Sequence, residues 1–418
     1  MWKKFVAAVL SLVMISALTA CSQKSSSNKE SGTADSIVVA ITKDENTLTP
    51  FTYLTGTPGL DVTRLIYDSL YIFDENNNPV PWMAKSCDIN DDCTQFTITL
   101  NDGLMWHDGK PVTLEDVKFT FEYAPTQQTT RWKKAAEKVS SIEIVNNTLI
   151  LKTKASELNF AAEVLAELPI IPKHIYNGIE NAKTVTSTVG SGMYKLTEYV
   201  QNQKYVLSAA DNYFKGQVQV KTINMPIITD TSSIYQGIQS GEYTTFTGSL
   251  TPELLDTFKT NPNLKIIEGP GYASAMLYMN EEVKPFDNDE FRIAVSMALD
   301  ANAIVDTVFL GKADVGSPGF YSPNSPYGNP QLKWTHNKQE ANKKLDALGY
   351  SNKNQQGIRL DETGKPLSFE LLSSNDPLRS RAAELISEQL KAVGIETTVK
   401  TYEKDTLDTY VWLEFDIT

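Results

Sequence analysis

The sequence predicts several domains of the α/β or α+β class, and three observations indicate this. The chain has 418 residues, which is long enough for two or three domains of ordinary size. Strand-like runs such as residues 37–42 alternate with helix-like runs such as residues 113–123 and 289–309. Two further helix-like runs end at Gly349 and Gly394, and glycine favours the left-handed conformation that closes a helix.

The first 20 residues have the pattern of a secretion signal. Two lysines precede an apolar run at residues 5–18, which is too short for a comfortable membrane span. The run leads into Leu-Thr-Ala-Cys at residues 18–21, which resembles a lipobox, where the cysteine is diacylated and becomes the new N-terminus. The alternative is an ordinary signal followed by a chance cysteine. Because two acyl chains hold a protein stably, we expect Cys21 to anchor the chain on the extracytoplasmic face of the cell membrane.

Residues 21–35 form the predicted tether between the anchor and a globular part that begins near Ser36. This segment has almost no apolar side chain to bury, so we expect it to be flexible. The chain carries 51 acidic and 38 basic residues, which gives a net charge of −13. Such an acidic surface repels nucleic acid and anionic lipid, so we expect no nucleic-acid partner.

The two remaining cysteines, Cys87 and Cys93, flank a predicted hairpin turn. Asn90, Asp91 and Asp92 between them are turn-forming residues, and an alternating strand follows. Because disulfides persist outside the cell, we expect these two thiols to be bonded, with a stabilisation of about 2 kcal/mol for so short a loop. Metal binding is the weaker alternative, since no histidine lies nearby in the sequence.

The stretch at residues 100–123 contains His107 and a glycine–lysine spacing that resembles a phosphate loop. A phosphate loop has four residues between its first glycine and its Gly-Lys pair, whereas five separate Gly103 from Gly109. Pro111 then has no N–H to offer a phosphate. The sequence also lacks His-Glu-x-x-His, paired Cys-x-x-Cys and Gly-x-Ser-x-Gly motifs. We therefore predict no catalytic residue and no cofactor, and a secreted peptide hydrolase is disfavoured.

The same stretch predicts a helix that begins after Thr113, with Asp116 as the partner in a capping box. Its core face is formed by three residues at spacings of three and four, Leu114, Val117 and Phe121. Phe119 and Tyr123 form a second aromatic stripe on roughly the opposite side. Either another element of the fold or a ligand must cover this stripe, and plain packing is the favoured interpretation.

Residues 100–123 also resemble the signature of extracellular solute-binding proteins of family 5, the peptide- and nickel-binding components of ATP-driven importers. Further blocks resemble that family in the same order. They are GSGMYKLTEY at 190–199, DNYFKG at 211–216, IYQGIQSGEY at 234–243, FRIAVSMALDANAIVDTVFLGKA at 291–313 and NKKLDALGY at 342–350. Two positions depart from the family pattern, since Met193 replaces a proline and Tyr243 replaces an aspartate.

The resemblance implies a fold like that of type II periplasmic binding proteins, with mixed sheets, an inserted extra domain and two lobes that close on a ligand. Domain I is expected at residues 36–73 and 185–271, the inserted domain II at 74–184, and domain III at 272–418. The apolar, β-prone run at the end of the chain indicates a buried strand. The family continues beyond that run with an aspartate that meets a peptide's α-amine, so we expect domain III to be incomplete.

The function implied by the resemblance is that of a lipid-anchored monomer that captures oligopeptides or dipeptides between the lobes. It would deliver them to the permease subunits of an ABC transporter. The alternative within the family is a receptor for nickel or a metal chelate. A chaperone or sensory receptor without a role in transport uses the same fold.

The resemblance also implies the ligand contacts. Thr55 and Gly56 lie in a loop whose backbone would pair with an extended peptide like an added strand. Phe119 would form a wall of the cleft, and Tyr272 lies where the chain passes between the lobes. Arg131 is near an arginine that meets a chelate carboxylate in nickel-binding relatives, a task that suits a bidentate side chain. The alternative for Arg131 is a solvated surface arginine.

Overall fold

The computed structural model describes residues 34–413, with gaps. The residues it leaves out within that range are 45, 47, 53–56, 128–131, 270–273, 319–328 and 330. The chain divides into two compact units, Met1–Ser249 and Leu250–Thr418, which we call unit 1 and unit 2. The domain boundaries that the resemblance implies stay a prediction. No described helix is long and apolar enough to cross a membrane.

Unit 1 mixes strands and helices along the chain. Its described strands are β1 (Ser36–Ala40), β2 (Tyr71–Phe73), β3 (Pro79–Pro81), β4 (Ala84–Ile89), β5 (Gln95–Leu100), β6 (Val139–Val145), β7 (Thr148–Thr153), β8 (Tyr194–Val200), β9 (Lys204–Ala209), β10 (Thr222–Pro226) and β11 (Thr245–Phe246). Its described α-helices are α1 (Thr57–Ile66), α2 (Leu114–Tyr123), α3 (Lys133–Glu137), α4 (Lys173–Tyr176) and α5 (Thr231–Ser240).

Distant parts of unit 1 form one five-stranded sheet in the order β11-β1-β10-β9-β8. Strand β1 runs parallel to β10 and β11, while β9 pairs antiparallel with both β10 and β8. Alternation along β9 directs Tyr205 and Leu207 into the core, where they are almost fully buried. The sheet therefore joins the start of the described chain to residues 194–246, which the resemblance assigned to the same domain.

A second sheet of unit 1 is antiparallel, in the order β4-β5-β7-β6. Its buried face comes from every second residue of the two central strands, as period-two alternation requires. Phe96 and Ile98 of β5 and Leu149 and Leu151 of β7 are buried in one cluster with Val117 of α2. Helix α2 therefore packs on the sheet through the face that its sequence predicted.

The structure does not contain the predicted disulfide, because Cys87 and Cys93 are both free thiols. The hairpin itself forms, but Cys87 lies in β4 opposite Ile98, while Cys93 lies in the turn. Cys87 lies three residues before the Asn90–Gln95 pair, and Cys93 lies beyond this pair in the turn. The cysteines are therefore more than three residues apart along the hairpin, which is more than about 10 Å at the rise of a strand. A disulfide requires Cα atoms within about 7 Å, so this register keeps the thiols apart.

The predicted cap of α2 is present. The backbone N–H and the hydroxyl of Thr113 both donate to Oδ2 of Asp116, each at 2.9 Å. Oδ1 of Asp116 accepts from the backbone N–H of Lys173 at 2.9 Å, which ties the start of α2 to the start of α4. The capping carboxylate thus fixes both the helix and its neighbour, and its pairing explains how a buried aspartate is tolerated.

The loop before β8 packs its backbone directly against the end of α1. The N–H of Gly192 donates to the carbonyl oxygen of Ile66 at 2.8 Å. A Cβ atom at Gly190 would lie 1.9 Å from that oxygen, and one at Gly192 would lie 2.5 Å from the carbonyl oxygen of Leu65. No side chain fits at these separations, so both positions require glycine for close approach.

Unit 2 is built around a short parallel sheet with helices. Its described helices are α6 (Leu255–Lys259), α7 (Asp289–Ala298), α8 (Ala301–Val308), α9 (Lys338–Ala347), α10 (Pro377–Lys391) and α11 (Lys404–Leu413). Its described strands are β12 (Ser368–Ser374) and β13 (Glu396–Tyr402), which run parallel with α10 as the connection between them. Gly349 and Gly394 follow α9 and α10 with φ of 98° and 88°, which confirms the predicted left-handed caps.

Two helices of unit 2 differ from the sequence predictions. Residues 289–309 form two helices and not one, because the side chain of Asp300 accepts from the N–H of Ala303 and starts α8 anew. Residues 404–413 form α11, and this helix contains the described part of the terminal run 406–418, whose apolar composition had indicated a strand. Leu407 and Val411 lie four residues apart and are both half-buried, so the helical period decides this segment.

A buried arginine connects several elements of unit 2. The side chain of Arg359 is only 1% exposed, and its Nε donates to the carbonyl oxygen of Val393 at 2.7 Å. Its Nη1 donates to Oδ1 of Asp346 and to the carbonyl oxygen of Tyr350, and its Nη2 donates to Oδ1 of Asn342, each at 2.6 Å. These acceptors compensate for the loss of water around the guanidinium, which is costly to bury unpaired.

Gly192→Ala is expected to destabilise unit 1, because the added Cβ must displace the backbone at the end of α1. Overpacking of this kind costs about 1–3 kcal/mol, and more where the neighbour is backbone. The measurement is the free energy of unfolding in urea. Gly269→Ala is the control, since a Cβ there would have no atom within 4 Å. Equal stability of the two variants would contradict the role given to the close contact.

Candidate functional site

Four aromatic side chains of unit 1 form a connected cluster next to the predicted ligand-binding segments. We call Phe51, Phe119, Tyr123 and Tyr176 the aromatic cluster. Phe119 stacks on Tyr123 with ring centroids 5.1 Å apart, and Tyr123 contacts Phe51 edge-on at 5.5 Å. Tyr176 contacts Phe51 at 5.6 Å and Tyr123 at 5.8 Å. The cluster therefore extends from the middle of α2 to the chain just before residues 53–56.

Phe119 is the outermost member of the aromatic cluster. Phe51, Tyr123 and Tyr176 are buried, whereas Phe119 is only partly buried. The hydroxyl of Tyr123 is already used, because it donates to the carbonyl oxygen of Ile179 at 2.7 Å. Plain packing therefore accounts for Tyr123, and Phe119 is the member of the aromatic cluster whose ring stays partly exposed.

A hydrogen bond brings the two flanks of the candidate site together. The indole Nε1 of Trp132 donates to the carbonyl oxygen of Pro50 at 3.1 Å, and the Trp132 side chain is buried. Pro50 lies three residues before the segment 53–56, and Trp132 directly follows Arg131. The described residues that flank Thr55, Gly56 and Arg131 in the sequence are therefore in contact, although they are far apart along the chain.

Several predicted residues lie outside the described residues. They are Cys21, Thr55, Gly56, Arg131 and Tyr272. Trp132, Pro50 and Phe51, by contrast, were missed in the sequence, because their roles depend on a contact across 82 residues. The one available signal was that a tryptophan adjoins Arg131 and that Pro50 and Phe51 precede the predicted loop.

His107 holds the loop at Gly190–Gly192 and is not arranged for catalysis. Its Nδ1 accepts from the N–H of Gly190 at 3.2 Å, so its Nε2 carries the proton and donates to the carbonyl oxygen of Gly192 at 2.9 Å. Burial lowers the pKa of His107, which favours this neutral form. Both ring nitrogens are occupied by backbone groups, and the imidazole is therefore a structural link.

Asp68 is a buried residue that contacts the same loop through its backbone and two aromatic side chains through its carboxyl group. Its Oδ1 accepts from Nε1 of Trp82 at 3.1 Å and from the hydroxyl of Tyr213 at 3.2 Å, and its backbone N–H donates to Oγ of Ser191 at 3.3 Å. Its Oδ2 has no partner within the described part of the chain. Burial raises the pKa of Asp68 to about 7, and the two side-chain hydrogen bonds offset only part of this effect.

Metal-binding side chains do not converge in the described parts of either unit. Among these residues there is no group of three or more histidine, cysteine, aspartate or glutamate side chains that could hold a metal ion. The described part of the candidate site instead offers aromatic rings and backbone groups. Such a surface suits an organic ligand with apolar parts.

Comparison with models of protein families identifies the family to which the chain belongs. The model for bacterial extracellular solute-binding proteins, family 5 Middle, matches residues 78–418. The chain belongs to this family. Members of family 5 are binding proteins of transport systems that act outside the cytoplasm, so the chain is not an enzyme.

Individual relatives and solved structures agree with this assignment. The chain is 30% identical over 427 residues to the oligopeptide-binding protein AppA of Bacillus subtilis (strain 168), an alignment that covers 96% of this chain and 77% of AppA. It is 24% identical to the nickel-binding periplasmic protein of Escherichia coli (strain K12), covering 82% of this chain and 67% of that protein. The structure of AppA from Bacillus subtilis in complex with a nonapeptide matches with a TM-score of 0.76 and 27% identity, covering 92% and 79% of the two chains.

A further solved structure shares the fold. NikZ from Campylobacter jejuni in complex with Ni(L-His) matches with a TM-score of 0.79 and 23% identity, covering 92% of this chain and 76% of NikZ. Together these structures confirm the predicted α/β fold of the type II periplasmic-binding-protein kind with mixed sheets.

Asp68→Asn is expected to reduce the pH dependence of stability between about pH 4 and about pH 7. The pKa of Asp68 is about 7 in the folded chain, whereas the ordinary value is 3.8. The folded state therefore binds more protons than the unfolded state in this pH interval. The stability that the protonated carboxyl contributes is complete below pH ~4 and is lost as the pH rises through 7, with an upper limit of about 4 kcal/mol at 1.36 kcal/mol per pKa unit.

The measurement is the melting temperature of the parent and of Asp68→Asn at about pH 5 and about pH 8. The variant should gain stability relative to the parent at the higher pH, since its amide stays neutral. Asp102→Asn serves as the control, because the Asp102 side chain is fully exposed. If the melting temperatures of the parent and of Asp68→Asn differ by the same amount at both pH values, then Asp68 does not titrate in this interval.

Proposed function

We propose that this protein captures oligopeptides or dipeptides outside the cytoplasmic membrane. It acts as a monomer and delivers its ligand to the permease subunits of an ABC transporter. The observation that carries the proposal is the alignment with AppA, an oligopeptide-binding protein that is 30% identical over 96% of this chain. The peptide complex of AppA, at 27% identity, supports the same ligand class.

The geometry of unit 1 supports a peptide ligand. The aromatic cluster presents Phe119 at its outer edge, and an aromatic ring contacts varied side chains without a specific hydrogen bond. The Trp132–Pro50 bond fixes the backbone next to the loop that contains Thr55 and Gly56, whose backbone groups are proposed to pair with the extended peptide. A rigid support lowers the entropic cost of ordering a binding loop.

A metal chelate is the second candidate ligand, and Arg131 is the residue that favours it. The similarity to the nickel-binding protein of Escherichia coli, at 24% identity, is the supporting comparison. Because the described residues offer no group of metal-binding side chains, a chelate would be held through its organic part. An arginine that pairs with a chelate carboxylate would serve this purpose.

Arg131→Ala is expected to separate the two ligand classes. If the ligand is a peptide held by backbone pairing, the change should alter binding by no more than about 0.5 kcal/mol, as for most surface substitutions. If Arg131 holds a chelate carboxylate, the loss should be about 2–5 kcal/mol. The measurement is calorimetry with a peptide mixture and with nickel plus histidine.

Lys134→Ala is the matched control for this comparison, since it removes an exposed cation close to Arg131 in the sequence. Binding of nickel plus histidine that weakens only in Arg131→Ala, with no heat from peptides, would refute the peptide proposal.

We also propose that Cys21 carries a lipid anchor, on the evidence of the lipobox-like residues 18–21 that follow the apolar run. Cys21→Ala is expected to remove the acyl mass and to shift the protein from the detergent phase to the aqueous phase, because two acyl chains supply the membrane affinity. The measurements are the intact mass of the protein made in bacterial cells and its partitioning between the detergent and aqueous phases. Cys93→Ala is the control, and detergent partitioning of Cys21→Ala equal to that of the control would refute the anchor.

A further inference from the structure

Unit 1 contains a small cavity of about 70 Å³ beside the loop that packs against the end of α1. Its walls come from three stretches of the chain, within residues 105–109, 191–195 and 210–214, all of which the structure describes. His107 bonds the first stretch to the second through Gly192, and the N–H of Ala210 donates to the carbonyl oxygen of Met193 at 2.8 Å. Hydrogen bonds within unit 1 therefore hold the three walls together.

The cavity lies away from the predicted peptide loop. Gly192 lines the cavity and donates to the carbonyl oxygen of Ile66, the last residue of α1. Thr55 and Gly56 come directly before Thr57, the first residue of the same helix. A helix of ten residues is about 15 Å long, so the length of α1 lies between the cavity and the point where the peptide loop joins the helix.

The size of the cavity restricts its ligand to a few atoms. Its volume exceeds the roughly 10–15 Å³ that a single water requires, but it is far below the roughly 300–1,000 Å³ of sites for larger organic molecules. Met105 and Phe214 make part of the wall apolar, whereas Ser191, Lys195 and Asp211 make another part polar. A small ligand with one polar and one apolar end fits such a wall.

The polar part of the wall has hydrogen-bond donors to spare. The indole of Trp106 lines the cavity, this residue is only 2% exposed, and its Nε1 has no partner among the described residues. The ammonium of Lys195 donates to Oδ2 of Asp211 at 2.8 Å, which leaves two of its three N–H groups. Oγ of Ser191 accepts from the backbone N–H of Asp68, which leaves its O–H as a donor. Because a buried donor without an acceptor is costly, a ligand that accepts hydrogen bonds would stabilise this wall.

The acceptors and acidic groups around the cavity are engaged or neutral. The carbonyl oxygen of Gly192 accepts from His107, and the carboxylate of Asp211 pairs with Lys195. The side chain of Asp211 is 83% exposed, so water screens its charge. Asp68 does not line the cavity, and burial raises its pKa to about 7, which keeps it mainly neutral in weakly acidic solution. The available groups therefore favour a ligand that carries acceptors and no donor.

We propose that this cavity binds a small carboxylate anion, with the indole N–H of Trp106 and the ammonium of Lys195 as its donors. The two oxygens of a carboxylate can each accept from one of these groups, while a short alkyl group lies against Met105 and Phe214. Inorganic phosphate is the other small oxyanion, and it has no apolar end for these two side chains. The proposed site goes beyond the capture of peptides and does not depend on it.

The test is an NMR titration of the full chain, labelled with ¹⁵N in its tryptophan indoles, with sodium acetate as the probe. The titration is done at about pH 6, where acetate is ionised and Asp68 is mainly neutral. Sodium chloride at the same ionic strength controls for screening. We expect the indole proton of Trp106 to shift downfield and to saturate, because it gains an acceptor, while the other indole protons stay in place. The loss of one resonance in Trp106→Phe assigns the signal.

Lys195→Gln should weaken acetate binding by about tenfold or more, since it removes a charge-assisted donor. Lys204→Gln is the matched control, because Lys204 pairs with Glu198 in the same hairpin of β8 and β9 and does not line the cavity. Both lysines are partly exposed, so neither change is expected to unfold the chain, and melting temperatures check this. The comparison of the two lysine variants does not require Trp106→Phe to fold.

The outcomes are distinct from those for peptide capture. Acetate binding that is equal in the parent and in Phe119→Ala supports a site separate from the peptide site, and its loss in Phe119→Ala overturns the proposal. The proposal is also overturned if acetate shifts the Trp106 resonance no more than chloride does, as a cavity that holds only water would give. Equal acetate affinity of Lys195→Gln and Lys204→Gln, or tighter binding of phosphate than of acetate, overturns it as well.

Discussion

Helix α1 ends against the backbone of residues 190–192 with no side chain between them. The carbonyl oxygen of Ile66 accepts from Gly192, and His107 holds the same loop from another segment through Gly190 and Gly192. Three stretches that are far apart in the sequence are thereby fixed to one another by backbone groups. The five-stranded sheet, the stretch that carries α2 and the end of α1 all meet there. The geometry of unit 1 depends on this contact, because no larger residue allows the approach.

This contact also positions the candidate site indirectly. Helix α1 begins directly after residues 53–56, and α2 carries Phe119 and Tyr123. The Trp132–Pro50 bond and the aromatic cluster then join the chain before α1 to α2 and to the chain after residues 128–131. A peptide receptor benefits from such a rigid support, because a flexible peptide loses conformational entropy on binding. A rigid binding site avoids an additional entropic cost from ordering the protein. The proposed function therefore rests on well-packed surroundings as well as on family resemblance.

Local patterns in the sequence predicted part of this structure. The capping box at Thr113, the core face of α2 and the glycines after α9 and α10 were predictable because each depends on residues within one or two turns. The separation of Cys87 from Cys93, the role of His107 and the Trp132–Pro50 bond were not, because each depends on strand register or on distant segments. Residues 404–413 show a third case, where composition favoured a strand but the spacing of Leu407 and Val411 agrees with the helix that forms.

The buried Arg359 has a consequence for how unit 2 opens. Its guanidinium donates hydrogen bonds to acceptors in α9, in the residue that follows the glycine cap of α9 and in the turn after α10. None of these segments can detach alone without leaving a cation in a dry interior, which is far more costly than losing a neutral contact. The segments should therefore open together, as one cooperative unit in hydrogen exchange, and the protected amides of α9 and of the end of α10 should share a single opening free energy.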